Sequence, residues 1–469
     1  MKKFAILFII TAWTCSVAFC KPESGAGITN DVYAMKDNEY LSGEGNQASE
    51  NLPVLEEEAT LKDYLVYAVM NSPELKAAFN RWKAQIEKVP QADAFPDPMF
   101  SYTYFPRTIE TRVGPQRQKF SFSQTFPWFG IRDLRGRAAY EVASAEWQHL
   151  VILKLHLFLR VKQIYHEYYY LGRTIEITGE NLKLLNYLES VVRANYKTGL
   201  ARYTDVVKAQ VLIGELEDRL RTLREMRGPV AAQLNAALNR PADTKVPWPD
   251  EIEEPAVTLK EPQLDQWLKE HNPELKAIGH KATSKAYLLD LADKEGLPNF
   301  TVGIEFIDIG QARMPDVPDS GKNALGLKVG LNIPLWRNKY NAGRREAEMQ
   351  HANILFEKQA KENNLEAALK LAVFGYQDAK RKTRLYKNTL IPKAEESLRV
   401  NQKAFTAGNA DFLDLIDAQQ TLLEYRLACE RASSDSAISI ARIEMLVGRD
   451  LSEWPSDTDA ASEAESNEN

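Results

Sequence analysis

The chain has 469 residues, a formal net charge of −6 and a mean hydropathy of −0.40. That length exceeds one ordinary domain, so several domains or an elongated architecture is expected. The acidic balance excludes a nucleic-acid partner, which needs a basic face. Of the three cysteines, Cys15 and Cys20 lie near the start and only Cys429 is left in the body, which excludes a disulfide framework or a CxxC metal site.

Residues 1–18 read as a secretory signal: Lys2 and Lys3 are basic, Phe4 to Trp13 are mostly apolar, and Ser16-Val17-Ala18 supplies small residues for cleavage. A second reading puts a lipid on Cys20 after Val17-Ala18-Phe19, although Phe19 stands where such sites want a small residue. Cleavage after Ala18 without a lipid is the expectation. Residues 19–56 are polar and read as a disordered linker. Beyond the signal no apolar run reaches the roughly 18 residues of a membrane-spanning helix, so any membrane span must be something other than a helix.

The body of the chain is duplicated. Asn71-Ser-Pro-Glu-Leu-Lys-Ala77 returns as His271-Asn-Pro-Glu-Leu-Lys-Ala277, a spacing of 200 (271 − 71). Tyr196-Lys-Thr-Gly199 returns as Phe405-Thr-Ala-Gly408, a spacing of 209 (408 − 199), and there Asp205 and Gln210 fall on Asp414 and Gln419. A slowly growing spacing means the same elements in the same order, with small insertions. Repeat 1 is expected over 57–240, an inter-repeat linker over 241–260, repeat 2 over 261–452, and a disordered acidic tail over 453–469.

Each repeat has the same order of elements. Ser72 and Asn272 sit at N-cap positions ahead of Pro73 and Pro273, which predicts a helix start. The period then changes from helical to two, with strands expected over about 99–105, 117–126, 299–308 and 323–333. Leu325, Leu327, Val329, Leu331 and Ile333 alternate with Gly326, Lys328, Gly330 and Asn332. Strands of about 9–11 residues can cross a bilayer at a tilt. Lys119, Glu305 and Lys328 fall on the polar side of this alternation, where a barrel would have its lumen. The same alternation also suits a hairpin lying on a soluble core.

Long helical hairpins are expected over about 131–238 and 337–448. Val206, Ala209, Ile213, Leu216, Leu220 and Leu223 form a heptad, repeated by Leu415, Ala418, Leu422, Tyr425 and Cys429. That period signals coiled-coil packing and makes Cys429 a core residue. Pro392 marks a kink or a restart in the second hairpin. Gly199 and Gly408 fall where the hairpins reverse and a left-handed backbone is needed. No catalytic constellation, cofactor motif or metal-ligand spacing occurs among the six histidines and three cysteines, so an enzyme is not expected.

Four strands cannot close a barrel, and open edges are not tolerated in lipid. A symmetric ring of several copies would solve both. The layout from roughly 57 to 452 resembles the TolC-like outer-membrane efflux family. The resemblance rests on Asn71-Ser-Pro-Glu-Leu75, Phe95-Pro-Asp-Pro98, Ser123-Gln-Thr-Phe-Pro-Trp-Phe-Gly130, Thr389-Leu-Ile-Pro-Lys-Ala394 and the run from Gly408 to Gln419. It implies a mainly α chain that contributes strands to a membrane β-barrel: a homotrimer with a twelve-stranded barrel in the outer membrane, set on an α-helical barrel in the periplasm. The implied function is a passive exit duct, partnered by a periplasmic adaptor (membrane fusion) protein and an inner-membrane pump. A duct for type I protein secretion and a non-channel periplasmic coiled-coil protein stand as alternatives.

The turn Phe126-Pro-Trp-Phe-Gly-Ile-Arg-Asp133 looks most like the heavy-metal (CzcC-type) branch, with Phe129 in place of a second proline. The resemblance further implies that the tips at Gly199 and Gly408 meet the adaptor. It also implies that Asp414 and Asp417, with Asp411 one turn earlier, ring the periplasmic entrance. Repeat 1 has Asp205 and Lys208 at the positions of Asp414 and Asp417, so an acidic pair belongs to repeat 2 alone.

Overall fold

A computed structural model describes residues 55, 59–249, 260–407 and 409–451. Cys20, the signal, the proposed acidic tail and Gly408 lie outside the described residues. Repeat 1 comprises α1 (Leu61–Asn71), α2 (Pro73–Ile86), α3 (Lys88–Asp93), β1 (Met99–Thr111), β2 (Gly114–Phe126), α4 (Ile131–Lys197) and α5 (Tyr203–Ala237). Repeat 2 comprises α6 (Glu261–His271), α7 (Pro273–Lys294), β3 (Phe300–Ile309), β4 (Ala324–Leu331), α8 (Arg337–Leu385), α9 (Ile391–Thr406) and α10 (Phe412–Val447).

The duplicated helix starts are capped alike. The Ser72 hydroxyl accepts from Leu75 N–H, and the Asn272 side-chain carbonyl accepts from Glu274 and Leu275 N–H. In both repeats proline follows at the first helical position, where its missing N–H costs nothing. The α4 helix is 67 residues long, about 100 Å at 1.5 Å per residue. It runs from the end of the sheet to the far hairpin tip.

Among the described residues, the three largest apolar clusters lie at the waist and the tips of the rods. Around the waist, α1 and α2 bury Tyr64, Phe79 and Trp82 against α4, while α6 and α7 bury Leu264, Leu268 and Leu275 against α8 and α10. At the tips, Leu188, Val192, Val206, Phe405, Phe412 and Leu415 join both hairpins in one cluster. Burying each such side chain contributes about 1.5–3 kcal/mol.

A row of ion pairs runs between α4 and α10, and so between the repeats. Lys162 meets Glu444 at 2.5 Å, Glu167 meets Arg431 at 2.8 Å, Arg173 meets Glu430 at 3.1 Å and Glu180 meets Arg426 at 3.3 Å. The row ends at Gln419, whose amide donates to the Asn181 side-chain carbonyl. Partners descend on one helix as they rise on the other, which aligns two antiparallel rods.

Two details differ from the sequence expectation. The α10 seam starts on Leu415 and Ala418 but passes to Leu423 and Leu427, which meet Ile177, and Cys429 is only half-buried. A straight helix drifts about 20° per heptad, so a neighbouring stripe takes over from Tyr425 and Cys429. At Pro392 the helix neither stops nor breaks. Tyr386–Leu390 forms a π-helical turn that leads directly into α9, absorbing the hydrogen bond that proline cannot donate.

His166 is buried in α4, and desolvation pulls its pKa down to about 4, with Lys162 adding to the effect. A folded pKa below the unfolded value means stability is full above about pH 6.5 and lost as pH falls towards 4. The shift is worth about 3 kcal/mol per chain. Burial raises the Glu444 pKa, which opposes this loss in part, because protonating Glu444 is easier in the folded chain. Thermal unfolding should show a falling midpoint between pH 6.5 and 4, and His166→Leu should flatten that fall. An equally steep fall in the variant would contradict the assignment.

Candidate channel wall and entrance

The four strands form one antiparallel sheet in the order β1-β2-β3-β4. The two hairpins are joined through β2 and β3, which pair Phe126 with Phe300 and Phe120 with Phe306. That pairing links the repeats and was not visible in either hairpin alone. The first hairpin extends to Thr111 and Gly114, beyond the expected limits, with an irregularity in β1 between Tyr104 and Ile109. Pro106 falls in that stretch, where a ladder donor is missing.

The register sorts the side chains into two faces. On one lie Phe100, Tyr102, Tyr104, Phe120, Phe122, Val302, Ile304, Phe306, Leu325, Leu327 and Val329. Helices of this chain do not cover them: Leu327 is 84% and Val329 76% exposed. On the other lie Ser101, Thr103, Ser121, Ser123, Thr301, Gly303, Gly326 and Gly330, together with Lys119, Glu305 and Lys328. These three charges meet: Lys119 Nζ is 2.7 Å from the Glu305 carboxylate and Lys328 Nζ 4.0 Å from it. The outer edges of β1 and β4 have no strand partner among the described residues.

An apolar face of this extent on a monomer marks a surface with a partner. With a small, polar face behind it, the sheet is built for lipid on one side and water on the other. The strands of 13, 13 and 10 residues reach the length of a tilted bilayer crossing, and the fourth, of 8 residues, falls just short of it. No helix among the described residues is long and apolar enough to cross a membrane.

The opposite end of the rods carries the tips. Gly199 has φ of 79°, and nothing lies within 4 Å of where its Cβ would be. Backbone conformation alone therefore selects glycine there. Asp411 occupies the N-cap position of α10, and Asp414 and Asp417 follow in its first two turns. All three are exposed, while Phe412, Leu415 and Ile416 between them and Ala418 just after them are buried. Among the described residues none of the three forms an ion pair.

The duplicate position behaves differently. Asp205 is 8% exposed, and its carboxylate accepts from Arg202 N–H at 3.1 Å as part of a helix cap. The carboxylate at this position is therefore a structural cap in repeat 1 and a solvent-facing charge in repeat 2. The structure brings Asp411, Asp414 and Asp417 together on one tip. It places them at the far end of the rods from Lys119, Glu305 and Lys328. Among the described residues no group of His, Cys, Asp and Glu could hold a metal ion.

Residues 264–449 match the family model described as "Outer membrane efflux protein". No curated protein sequence matches the chain. Among solved structures, the outer membrane protein VceC from Vibrio cholerae is similar at 16% identity and a TM-score of 0.70, covering 83% of this chain and 96% of VceC. CusC is similar at 14% identity and a TM-score of 0.72, over 83% and 92% of the two chains. The open state of the MtrE outer membrane channel from Neisseria gonorrhoeae is similar at 14% identity and a TM-score of 0.65, over 83% and 89%. Identities this low carry the fold alone. Repeat 2 thus bears the sequence signature of the outer membrane efflux protein family, and the chain as a whole has the fold of the outer-membrane channels.

Proposed function

We propose that the chain is the outer-membrane exit duct of a tripartite efflux complex, working as a homotrimer with a periplasmic adaptor and an inner-membrane pump. The observation that carries this reading is the sheet. It has a bare apolar face, a polar face and two open edges, and only closure with other copies satisfies all three. In a ring the β4 edge of one copy meets the β1 edge of the next, and the strand alternation stays antiparallel throughout. Three copies give twelve strands. A periplasmic protein whose hairpins rest on its own helices would have covered Leu327 and Val329, so that alternative loses its basis.

In this reading the chain is a passive duct, and the energy for transport comes from the pump. Asp414 and Asp417 are assigned to the periplasmic entrance, where three-fold symmetry makes each a ring of three carboxylates favouring cations. Lys119, Glu305 and Lys328 line the barrel lumen as a ring of ion-paired clusters. The tips at Gly199 and Gly408 are the adaptor contact. A heavy-metal pump is the partner favoured by the Pro127-Trp128-Phe129-Gly130 turn, on resemblance only. The fold already accounts for that turn: Gly130 has φ of 79°, and Trp128 stacks on Phe300.

The test is reconstitution of the purified protein in a planar bilayer. Discrete, cation-selective conductance steps are expected. A membrane with no conductance from either the wild type or entrance variants would contradict the duct.

A further inference from the structure

The apolar face ends in aromatic rings. Trp128 stacks on Phe300, Phe129 lies beside both, and Phe129 and Trp336 are each 78% exposed. Aromatic residues at this level mark the boundary between hydrocarbon and headgroups. Immediately beyond it, residues 131–137 hold three arginines and one aspartate, and residues 337–345 hold four cations and no acid.

Carboxylates satisfy only the first group and one member of the second. Arg132 pairs with Asp93, Arg135 with Glu295, Arg137 with Asp133 and Arg344 with Asp293. Arg337, Lys339 and Arg345 are exposed and meet no carboxylate among the described residues. Lys339 lies 5.5 Å from the Tyr340 ring, which leaves its charge unneutralised. The chain carries a net charge of −6, so three unpaired cations beside the lipid boundary, against one unpaired acid at Glu346, are not a property of the whole surface.

We propose that Arg337, Lys339 and Arg345 form a collar that binds the headgroups of anionic phospholipid in the leaflet facing the helices. The inference rests on the outer-membrane reading and adds a specific lipid partner to it. Two observations single out lipid as the occupant. The collar is continuous with the lipid-facing sheet through Trp336, and its charge is complementary to a phosphodiester without a balancing amine. Trp336 fixes the depth: Arg337 and Lys339 lie within the first turn beyond it, and Arg345 about two and a half turns, roughly 13 Å, beyond it. In a trimer the three cations become nine charges around the barrel, strong enough to retain an annulus of anionic lipid in a mixed bilayer.

The full-length protein is placed in nanodiscs of phosphatidylcholine alone and of phosphatidylcholine with phosphatidylglycerol, and the lipid retained on release is counted by native mass spectrometry. The wild type should retain phosphatidylglycerol well above its share of the bilayer. Each removed cation should lower that enrichment roughly fivefold. Arg337→Gln with Lys339→Gln and Arg345→Gln should abolish it, whereas Arg337→Lys with Arg345→Lys should keep it. High salt should weaken it, as for an exposed electrostatic contact. Normal assembly in phosphatidylcholine without phosphatidylglycerol enrichment overturns the collar and leaves the duct standing. Enrichment that survives the triple glutamine variant also overturns the collar. A chain that enters neither bilayer overturns both readings.

Discussion

Leu327→Arg or Val329→Arg should abolish assembly in the membrane. Arginine near the bilayer midplane costs about 2–4 kcal/mol, and a trimer bears that cost three times. Whole-domain stabilities are only about 5–15 kcal/mol, so the loss is large on that scale. Lys328→Ser, on the intervening residue, should assemble normally, because Lys119 still pairs with Glu305 at 2.7 Å. Separating outer membranes and measuring the trimer fraction distinguishes the outcomes. Equal damage from Leu327→Arg and Lys328→Ser would mean that the two faces are wrongly assigned.

Asp414→Ala combined with Asp417→Ala should lower cation over anion permeability at least about fivefold, since six carboxylates leave a narrow, poorly screened constriction. Block by multivalent cations from the periplasmic side should weaken in parallel. Both are read from single-channel recordings. Asp205→Ala is the informative control. It removes a cap on Arg202 N–H and should cost about 0.5–2 kcal/mol of stability, with selectivity unchanged. Unchanged selectivity and block in an assembled Asp414→Ala/Asp417→Ala trimer would reject the entrance assignment.

Much of the fold was legible because the repeat displays each element twice. Ser72-Pro73 and Asn272-Pro273 mark helix starts by chemistry that acts within four residues, and the alternation at 325–333 sets both faces of β4. Local signals carry that far. The β2–β3 pairing depends on where two hairpins some 180 residues apart meet, and no local pattern encodes it. The ion pairs from Lys162–Glu444 to Glu180–Arg426 were likewise invisible, since charges on a rod read as solvated until a second rod is laid beside them. The seam shift from Tyr425 and Cys429 to Leu423 and Leu427 follows from helical drift, which a strict heptad reading ignores.

The candidate sites were legible to different depths. Gly199 was found through the backbone conformation that a reversal needs. The placement of Lys119, Glu305 and Lys328 on the polar face followed from parity, but that Glu305 would gather both lysines required the register. Asp205 and Asp414 are the same residue at equivalent positions, and only the structure separates a buried cap from an exposed charge. Nothing in the sequence singled out Arg337, Lys339 and Arg345, the cations of the proposed collar. They gained meaning when the neighbouring cations were seen to be paired and these were not.

The central claim is that four strands per chain become a barrel only through other copies. The direct measurement is the mass of the species that detergent extracts from isolated outer membranes. The account predicts a homotrimer of the 53.2 kDa chain, less whatever the signal removes. A water-soluble monomer, stable without detergent, would contradict it.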